Sequence, residues 1–274
     1  MKTKEIKQHA NQVRKHIVEM VYQAQSGHPG GSLSAADLLT YLYFEEMDIT
    51  SKNVAGIDRD RFVLSKGHAS PLLYAVLCEK GLLPEAELAT FRHINSRLQG
   101  HPNMHYIEGV DMSTGSLGQG ISAAVGMALA NQMDGNDHRI YTLLGDGECE
   151  EGEVWEAAMA AAHYHLNNLC AIVDFNGLQI DGDIRSVMNP TPIDEKFKAF
   201  GWNVLSIDGH DYEAIRKAFE EAKKEKEKPT MILAHTIKGK GVSFMEHNPA
   251  WHGSAPNKEQ YEQAMKELGG ACHE

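Results

Sequence analysis

The sequence predicts one doubly wound α/β domain, in which a mostly parallel sheet carries helices on both faces. Short apolar, β-rich runs alternate along the chain with longer segments of helical periodicity, which is the pattern of βαβ units. Two of these runs, residues 140–144 and 169–173, enclose a helical segment rich in small residues. No internal repeat, low-complexity tract or linker interrupts the 274 residues, so we expect a single domain over residues 1–274.

The individual elements follow from periodicity and from the residues at their ends. The predicted strands cover residues 61–65, 140–144, 169–173, 202–207 and 231–235. The predicted helices cover residues 4–25, 34–44, a segment opening at Ser70-Pro71, and residues 121–130, 212–224 and 258–268. A Gly-rich segment, residues 26–31, is expected to end the first helix. Ser34 and Asp37 resemble a capping box for the second helix, and Asp211 is the expected N-cap of residues 212–224.

Composition and charge exclude several classes of protein. A hydrophobic content of 42% with 23% charged residues is ordinary for a globular chain. The net charge of -12 argues against a nucleic-acid partner and against an anionic membrane surface. We see no signal peptide and no apolar run of membrane-spanning length. The cysteines form no CxxC pair and are expected to be thiols in the cytoplasm: Cys78, Cys149, Cys170 and Cys272.

The segment from Gly145 to Asn176 predicts the functional site. Asp146 follows one predicted strand and Asn176 follows the next, so both should lie at the carboxyl edge of the sheet. Two oxygen-bearing side chains there suit Mg²⁺, which completes its coordination with water and phosphate oxygens. Gly147 has no Cβ and allows a phosphate close to the backbone, beside the positive end of the following helix. These residues predict a metal-bridged diphosphate site.

Among the fifteen histidines, four that share a setting stand next to glycine in predicted loops: His28, His68, His101 and His252. Any one of them is explained more simply as a surface or core histidine, but four in similar loops indicate a shared cleft. Imidazole donates or accepts a proton near neutral pH, which suits a site that handles sugar hydroxyls. Lys238 and Lys240 are open candidates for phosphate contacts. The segment from Gly115 to Gly120 lacks the glycine spacing of a dinucleotide fingerprint, so a nicotinamide cofactor is rejected.

The spacing of Gly145-Asp-Gly147, twenty-eight residues and Asn176 resembles the thiamine diphosphate motif of thiamine-dependent enzymes. With the other segments, in this order, it resembles the transketolase family across nearly the whole chain. Those segments are Ser26-Gly-His-Pro-Gly30, Lys66-Gly-His-Ala-Ser70, Gly100-His-Pro102, Thr114-Gly-Ser-Leu-Gly-Gln-Gly120 and Trp251-His-Gly-Ser-Ala-Pro256. The resemblance implies thiamine diphosphate with Mg²⁺, or another divalent cation such as Ca²⁺ or Mn²⁺, and two-carbon transfer from a ketose to an aldose.

The resemblance also implies roles for particular residues. The metal ligands would be Asp146, Asn176 and the carbonyl of Leu178. The cofactor contacts would be His68, Gly115, Leu117, Gly145, Asp146, Gly147, Glu151, Asn176 and His252. The sugar contacts and proton transfers would involve His28, His101 and His252. Glu151 matches an acidic residue that lies at the family's subunit contact.

The family continues into a pyrimidine-binding domain and a C-terminal domain, whereas this sequence stops at Glu274. The resemblance therefore implies a separate C-terminal subunit, which would supply the glutamate that activates the cofactor and the groups that bind substrate phosphate. We expect a heterotetramer, because the family's site lies between subunits. The Gly/Ala-rich helix over residues 121–130 is the expected contact, unless its small residues serve packing against the sheet.

Other functions stay open at this point. The α subunit of a two-chain 2-oxoacid dehydrogenase shares the cofactor motif and needs a partner, although the His-Gly and His-Pro loops favour ketose chemistry. A synthase of a deoxysugar phosphate from pyruvate is closely related and usually forms one long chain. A non-catalytic cofactor-binding or regulatory subunit is also compatible, because every motif used is a binding motif. Whether the acceptor sugar is a common pentose phosphate or a branched one is open too.

Overall fold

The computed structural model describes residues 1–270, which leaves Cys272 and the last residues of the predicted domain outside the description. The described chain forms seven strands: β1 (Arg61–Leu64), β2 (Ile140–Gly145), β3 (Leu169–Phe175), β4 (Leu178–Gln179), β5 (Gly182–Asp183), β6 (Asn203–Asp208) and β7 (Thr230–His235). Five of them form a wholly parallel sheet in the order β1-β2-β3-β7-β6. Strands β4 and β5 form a separate antiparallel hairpin. All five predicted sheet strands are confirmed.

Eleven α-helices accompany the strands within the same residues. They are α1 (Thr3–Ala24), α2 (Pro29–Ser34), α3 (Ala36–Tyr41), α4 (Ser70–Glu79), α5 (Glu85–Leu88), α6 (Gln119–Asp134), α7 (Gly152–His163), α8 (Ile184–Val187), α9 (Ile193–Ala199), α10 (Tyr212–Lys224) and α11 (Lys258–Gly270). Short 3₁₀ turns cover Gly67–Ala69, Gly147–Glu150 and Pro249–Trp251. In the part of the chain described, we find no helix with the length and apolar character needed to cross a membrane.

Alternate side chains of the sheet pack into two separate cores. On β2, Tyr141 and Leu143 belong to the core formed with α1, α3, α4, α10 and α11. Ile140 and Leu144 belong to the opposite core, formed with α6, α7 and α9. Each fully buried aliphatic or aromatic side chain of this kind contributes roughly 1.5–3 kcal/mol relative to an exposed one. Helices on both faces confirm the predicted doubly wound architecture.

The capping box predicted at Ser34 and Asp37 is wrong. The next helix begins within the Gly-rich segment, because the chain already enters α2 at Pro29. The N-cap of α3 is Ala35, with no side-chain cap. The hydroxyl of Ser34 instead donates to the carboxylate of Asp174. Because a short polar side chain can bond to the backbone or to a distant partner, the local pattern did not decide between them.

The small-residue helix expected after the acidic run Glu148, Glu150 and Glu151 begins where it was predicted. A 3₁₀ turn follows Asp146, and α7 starts at Gly152, with Glu151 at its N-cap position. The N–H of Gly147 donates to the side chain of Asp146 at 2.8 Å. The turn after β2 is therefore closed by Asp146 itself.

The small residues of α6 allow this helix to lie directly on the sheet. Its buried positions include Gly120, Ile121 and Ala124. A Cβ at Gly120 would lie 2.5 Å from the Cα of Ser65, at the end of β1. Packing against the sheet thus accounts for one face of α6, while Gly126 and Ala130 on another face are exposed.

Candidate active site

Four neighbouring strands carry polar side chains to one edge of the sheet. Asp146 follows β2 and Asn176 follows β3, and the two strands are in register with Gly145 opposite Asp174. Lys66 follows β1 and Lys238 follows β7 on either side. Asp146 and Asn176 therefore both lie at the carboxyl edge of the sheet, as predicted. Two lysines, Lys66 and Lys238, lie at the same edge.

These residues line a cleft of about 200 Å³. The lining contains most of the residues predicted to meet the cofactor or metal: His68, Gly115, Leu117, Gly145, Asp146, Gly147, Asn176, Leu178 and His252. It also contains residues to which the sequence assigned no settled role: Gly31, Lys66, Glu148, Gln179, Ile180 and Lys238. The predicted cofactor residues are therefore gathered in one place, with Glu151 as the exception.

Asp146 is the buried carboxylate of the cleft, with 2% of its surface exposed. Its two oxygens accept the backbone N–H groups of Gly147 at 2.8 Å and Gly177 at 2.5 Å. Burial, together with the nearby carboxylate of Asp174, raises the pKa of Asp146 to about 7. A buried carboxylate with this pKa is one whose charge the protein only partly neutralises, which is the environment that a bound cation would complete.

Asn176 and Leu178 add two further oxygens. The side-chain Nδ2 of Asn176 donates to Asp174 at 3.1 Å, and its Oδ1 accepts the N–H of Leu178 at 3.1 Å. The carbonyl of Leu178 accepts from Nζ of Lys238 at 2.8 Å. Residues 1–270 hold no group of three or more His, Cys, Asp or Glu that could bind a metal. A set of one carboxylate, one amide and one carbonyl suits Mg²⁺, which takes few protein ligands.

The four predicted histidines form one cluster beside this oxygen set. The ring centroids of His28 and His68 are 5.3 Å apart, and those of His28 and His252 are 5.5 Å apart. His68 and His252 are 5.1 Å apart. His101 is more exposed and lies 6.5 Å from His28. The structure thus brings the four predicted histidines together, although only His68 and His252 line the cleft itself.

Burial and nearby positive charge hold the pKa of all four imidazoles below the ordinary value of a histidine, which favours their neutral form. Burial and the charge of Arg92 lower the pKa of His28 to about 4. Burial and the charge of Lys238 lower the pKa of His252 to about 3. Burial likewise lowers the pKa of His68 and His101, assisted by Lys66 and Arg92 respectively. The rings can donate and accept hydrogen bonds as neutral groups.

Cationic side chains lie beside the carboxylates of the cleft. Lys238 is 2% exposed, and its Nζ lies 2.9 Å from Nδ1 of His252. Burial lowers the pKa of Lys238 to about 8. Lys66 is paired with Asp174 at 2.5 Å. Lys66 and Arg92 were missed at the sequence level, although a lysine directly after a strand and before Gly67 is a usable signal.

His28, His101 and Glu151 lie outside the lining of the cleft. His101 is at the rim, next to Gly115, whose φ of +147° suits glycine. A Cβ at Gly115 would lie 3.1 Å from the His101 ring. Glu151 is exposed at the start of α7, close to Gly118. Its predicted place at a subunit contact stays a prediction.

The cleft thus offers positive side chains to an anion and oxygen ligands to a cation, at the carboxyl edge of a parallel sheet. This arrangement defines a domain that can bind a diphosphate group through a divalent cation. The model of the family described as "Transketolase, thiamine diphosphate binding domain" matches residues 5–274. The chain therefore belongs to the transketolase family.

The relatives and solved structures agree with this assignment. A 6-deoxy-6-sulfo-D-fructose transketolase subunit of a Clostridium species is 47% identical, over 96% of each chain. One of the subunits of the apulose-4-phosphate transketolase of Phocaeicola vulgatus is 44% identical, over 93% of this chain and 90% of the relative. The crystal structure of transketolase from Campylobacter jejuni superposes with a TM-score of 0.92 at 39% identity.

Coverage distinguishes two kinds of relative. This chain matches the two subunits over nearly their full length, but it spans 43% of the Campylobacter jejuni enzyme and 42% of human transketolase. It therefore corresponds to the N-terminal, thiamine diphosphate-binding subunit of a divided transketolase. The comparisons favour this assignment over the α subunit of a 2-oxoacid dehydrogenase.

Proposed function

We propose that the chain works with a C-terminal partner subunit to transfer a two-carbon ketol unit from a ketose to an aldose. The proposal rests mainly on one observation: the oxygen-bearing side chains of Asp146 and Asn176 lie next to the histidine cluster at one edge of the sheet. A histidine-lined space beside a diphosphate site suits a substrate with several hydroxyls. A 2-oxoacid has no such row of hydroxyls to hold.

The metal would be held by Asp146, Asn176 and the carbonyl of Leu178. Mg²⁺ fits this set best, and Ca²⁺ or Mn²⁺ would accept the same oxygens. Lys238 and His68 would face the diphosphate, and Gly115 with Leu117 would line the cofactor rings. Bound thiamine diphosphate would supply an electron sink for the carbanion that two-carbon transfer requires.

The chain's own contribution to the chemistry would come from His28, His101 and His252. In the neutral form that their lowered pKa values favour, each ring can donate a hydrogen bond from one nitrogen and accept one at the other. Nδ1 of His252 faces the ammonium of Lys238, which can only donate, so the proton of this ring is on Nε2. His28 and His252 would orient sugar hydroxyls, while His101 at the rim would move a proton.

The partner would carry the pyrimidine-binding domain, the activating glutamate and the groups that bind a substrate phosphate. Support comes from the two relatives that are named as subunits. Glu151 and the exposed face of α6 are the proposed contacts within a heterotetramer. Sugar phosphates, or sugars with another terminal anion such as a sulfonate, are the proposed substrates, and the cytoplasm is the proposed location. Neither nucleic acid nor a membrane is a proposed partner.

The test is a transfer assay on the co-expressed and co-purified pair. With thiamine diphosphate and Mg²⁺, the pair should transfer a two-carbon unit between sugars of a ketose and aldose panel, and each chain alone should not. Activity of this chain alone would contradict the need for a partner. A pair that assembles, transfers nothing between sugars, and decarboxylates a 2-oxoacid onto a lipoyl acceptor would contradict the proposed reaction.

A further inference from the structure

A buried polar cluster lies behind the cleft and takes no part in the chemistry described so far. At its centre the carboxylate of Asp37, 5% exposed, accepts two hydrogen bonds from the guanidinium of Arg14, at 3.0 and 2.6 Å. The hydroxyl of Tyr212 donates to the same carboxylate at 2.6 Å. Nδ1 of His210 completes the set at 2.8 Å. The paired guanidinium and these hydrogen bonds outweigh burial and hold the pKa of Asp37 below its usual range.

The hydrogen bonds of His210 determine which ring nitrogen carries the proton. The ionised carboxylate of Asp37 can only accept, so Nδ1 of His210 is the donor. Nε2 is 3.0 Å from the backbone nitrogen of Ile237, whose N–H can only donate. His210 is therefore a neutral ring that connects the buried Asp37 to the backbone just after β7.

The same cluster holds the other end of this backbone turn. Nε of Arg14 donates to the carbonyl of Lys240 at 3.1 Å. Between Ile237 and Lys240 lies Lys238, whose ammonium reaches into the cleft and contacts the Leu178 carbonyl and His252. The turn that carries Lys238 is thus fixed at both ends by residues that line no part of the cleft.

We propose that His210, oriented by Asp37, is a positioning residue that sets the turn of residues 237–240 and so directs Lys238 into the diphosphate end of the cleft. The proposal rests on the proposed function, since it assumes that thiamine diphosphate binds there. The critical hydrogen bond is the one that the N–H of Ile237 donates to Nε2 of His210. The bond to Asp37 matters less, because that carboxylate still accepts two hydrogen bonds from Arg14 and one from Tyr212 when His210 is replaced. Loss of the bond from Ile237 should weaken cofactor binding without any change to a residue that touches the cofactor.

Two substitutions separate the two hydrogen bonds of the ring. His210→Gln places an amide oxygen near the position of Nε2, where it can still accept from Ile237. His210→Asn keeps a polar group near the position of Nδ1, beside Asp37, but leaves the N–H of Ile237 without an acceptor. In the two-subunit complex with Mg²⁺, we expect His210→Asn to weaken thiamine diphosphate binding by about 10–100-fold and His210→Gln to retain most of it.

Hydrogen–deuterium exchange at Ile237 supplies a readout that does not depend on activity. The Ile237 amide should exchange faster in the Asn variant than in the wild type, and close to the wild-type rate in the Gln variant. A folded Gln variant that loses cofactor affinity, or an Asn variant that binds as tightly as the wild type, would overturn the proposal. If the Asn variant does not fold, the Gln variant still decides the matter by its binding and exchange.

His16 offers a matched control. It is a histidine that is 5% exposed, interacts with Gln12 and Glu79, and belongs to α1 away from the turn. His16→Asn should lower the thermal unfolding midpoint but leave thiamine diphosphate affinity within about threefold of wild type. An equal loss of affinity in His16→Asn and His210→Asn would show a general stability effect and contradict the proposal. A wild-type complex that binds no thiamine diphosphate would instead contradict the proposed function itself.

Discussion

Asp174 is the residue on which the local chemistry of the cleft depends, although it lies behind the proposed metal ligands. Its fully buried carboxylate accepts hydrogen bonds from Lys66, Ser34 and Thr236. It also accepts from Nδ2 of Asn176, which leaves Oδ1 of Asn176 as the acceptor atom. Its negative charge is one cause of the raised pKa of Asp146. One buried carboxylate therefore both orients an amide ligand and increases the need for a cation.

His28 leads to a prediction about pH dependence. It is faced by Arg92, His101, His68, His252 and Lys238. Its pKa of about 4 lies below the ordinary 6.5, so between these values the folded chain binds fewer protons than the unfolded chain. The stability that His28 contributes is therefore lost as the pH falls from about 6.5 towards 4. The thermal unfolding midpoint of His28→Gln should fall less between pH 7 and pH 4.5 than that of the wild type.

The control for this pH effect is His105→Gln, since His105 is exposed in a loop. Its midpoint should show the full acid shift of the wild type. An acid shift in His28→Gln that equals the wild-type shift would contradict the low pKa of His28.

His101 is predicted to contribute to proton transfer from the rim of the cleft. In the assembled complex, His101→Ala should lower the transfer rate by about 10²–10⁴-fold, because one acid–base group contributes this much. Steady-state kinetics with a ketose donor and an aldose acceptor would measure it. His105→Ala, in the same loop, should remain near wild type. A His101→Ala rate within about threefold of wild type would remove His101 from the chemistry.

Among the elements, those with a long-range periodic signal were predicted well. The five sheet strands and helix α10 match their predicted positions, because continuous apolar runs and amphipathic spacing report burial directly. The hairpin β4–β5 and the short helices α5 and α8 were not predicted, because segments of so few residues carry almost no periodicity. Ser34 was misassigned because its hydroxyl bonds to Asp174, 140 positions along the chain. Contacts of that range leave no local pattern.

Helix α6 permits a paired test of close packing. Gly120→Ala should destabilise the chain by about 1–3 kcal/mol, because the added Cβ would lie 2.5 Å from the Cα of Ser65. Gly126→Ala should stabilise the chain by about 0.5–1 kcal/mol, because nothing lies within 4 Å of its Cβ position and alanine favours a helix. Chemical denaturation of the isolated chain would measure both. Equal effects of the two substitutions would contradict the packing described for α6.

In the whole molecule, charge is distributed unevenly. The chain has a net charge of -12, yet Lys66 and Lys238 both lie at the carboxyl edge of the sheet, beside the carboxylates of Asp146 and Asp174. The sequence predicted the place of the site, because βαβ order places successive strand ends together. It did not predict that lysines from β1 and β7 would flank Asp146 and Asn176, because the order β1-β2-β3-β7-β6 is a property of the assembled sheet. The lowered pKa values of the histidines could not be predicted either, because they depend on burial and on positive side chains that only the folded chain brings close.

The most direct test of the central claim is a calorimetric titration of the two-subunit complex with thiamine diphosphate, with and without Mg²⁺. The wild type should bind tightly with Mg²⁺ and lose most of its affinity in EDTA. Asp146→Ala and Asn176→Ala should each weaken Mg²⁺-dependent binding by about 10–100-fold or more, while Asp181→Asn, at an exposed position nearby, should not. Binding that is indifferent to Mg²⁺ and unchanged in Asp146→Ala and Asn176→Ala would contradict the metal-bridged diphosphate site.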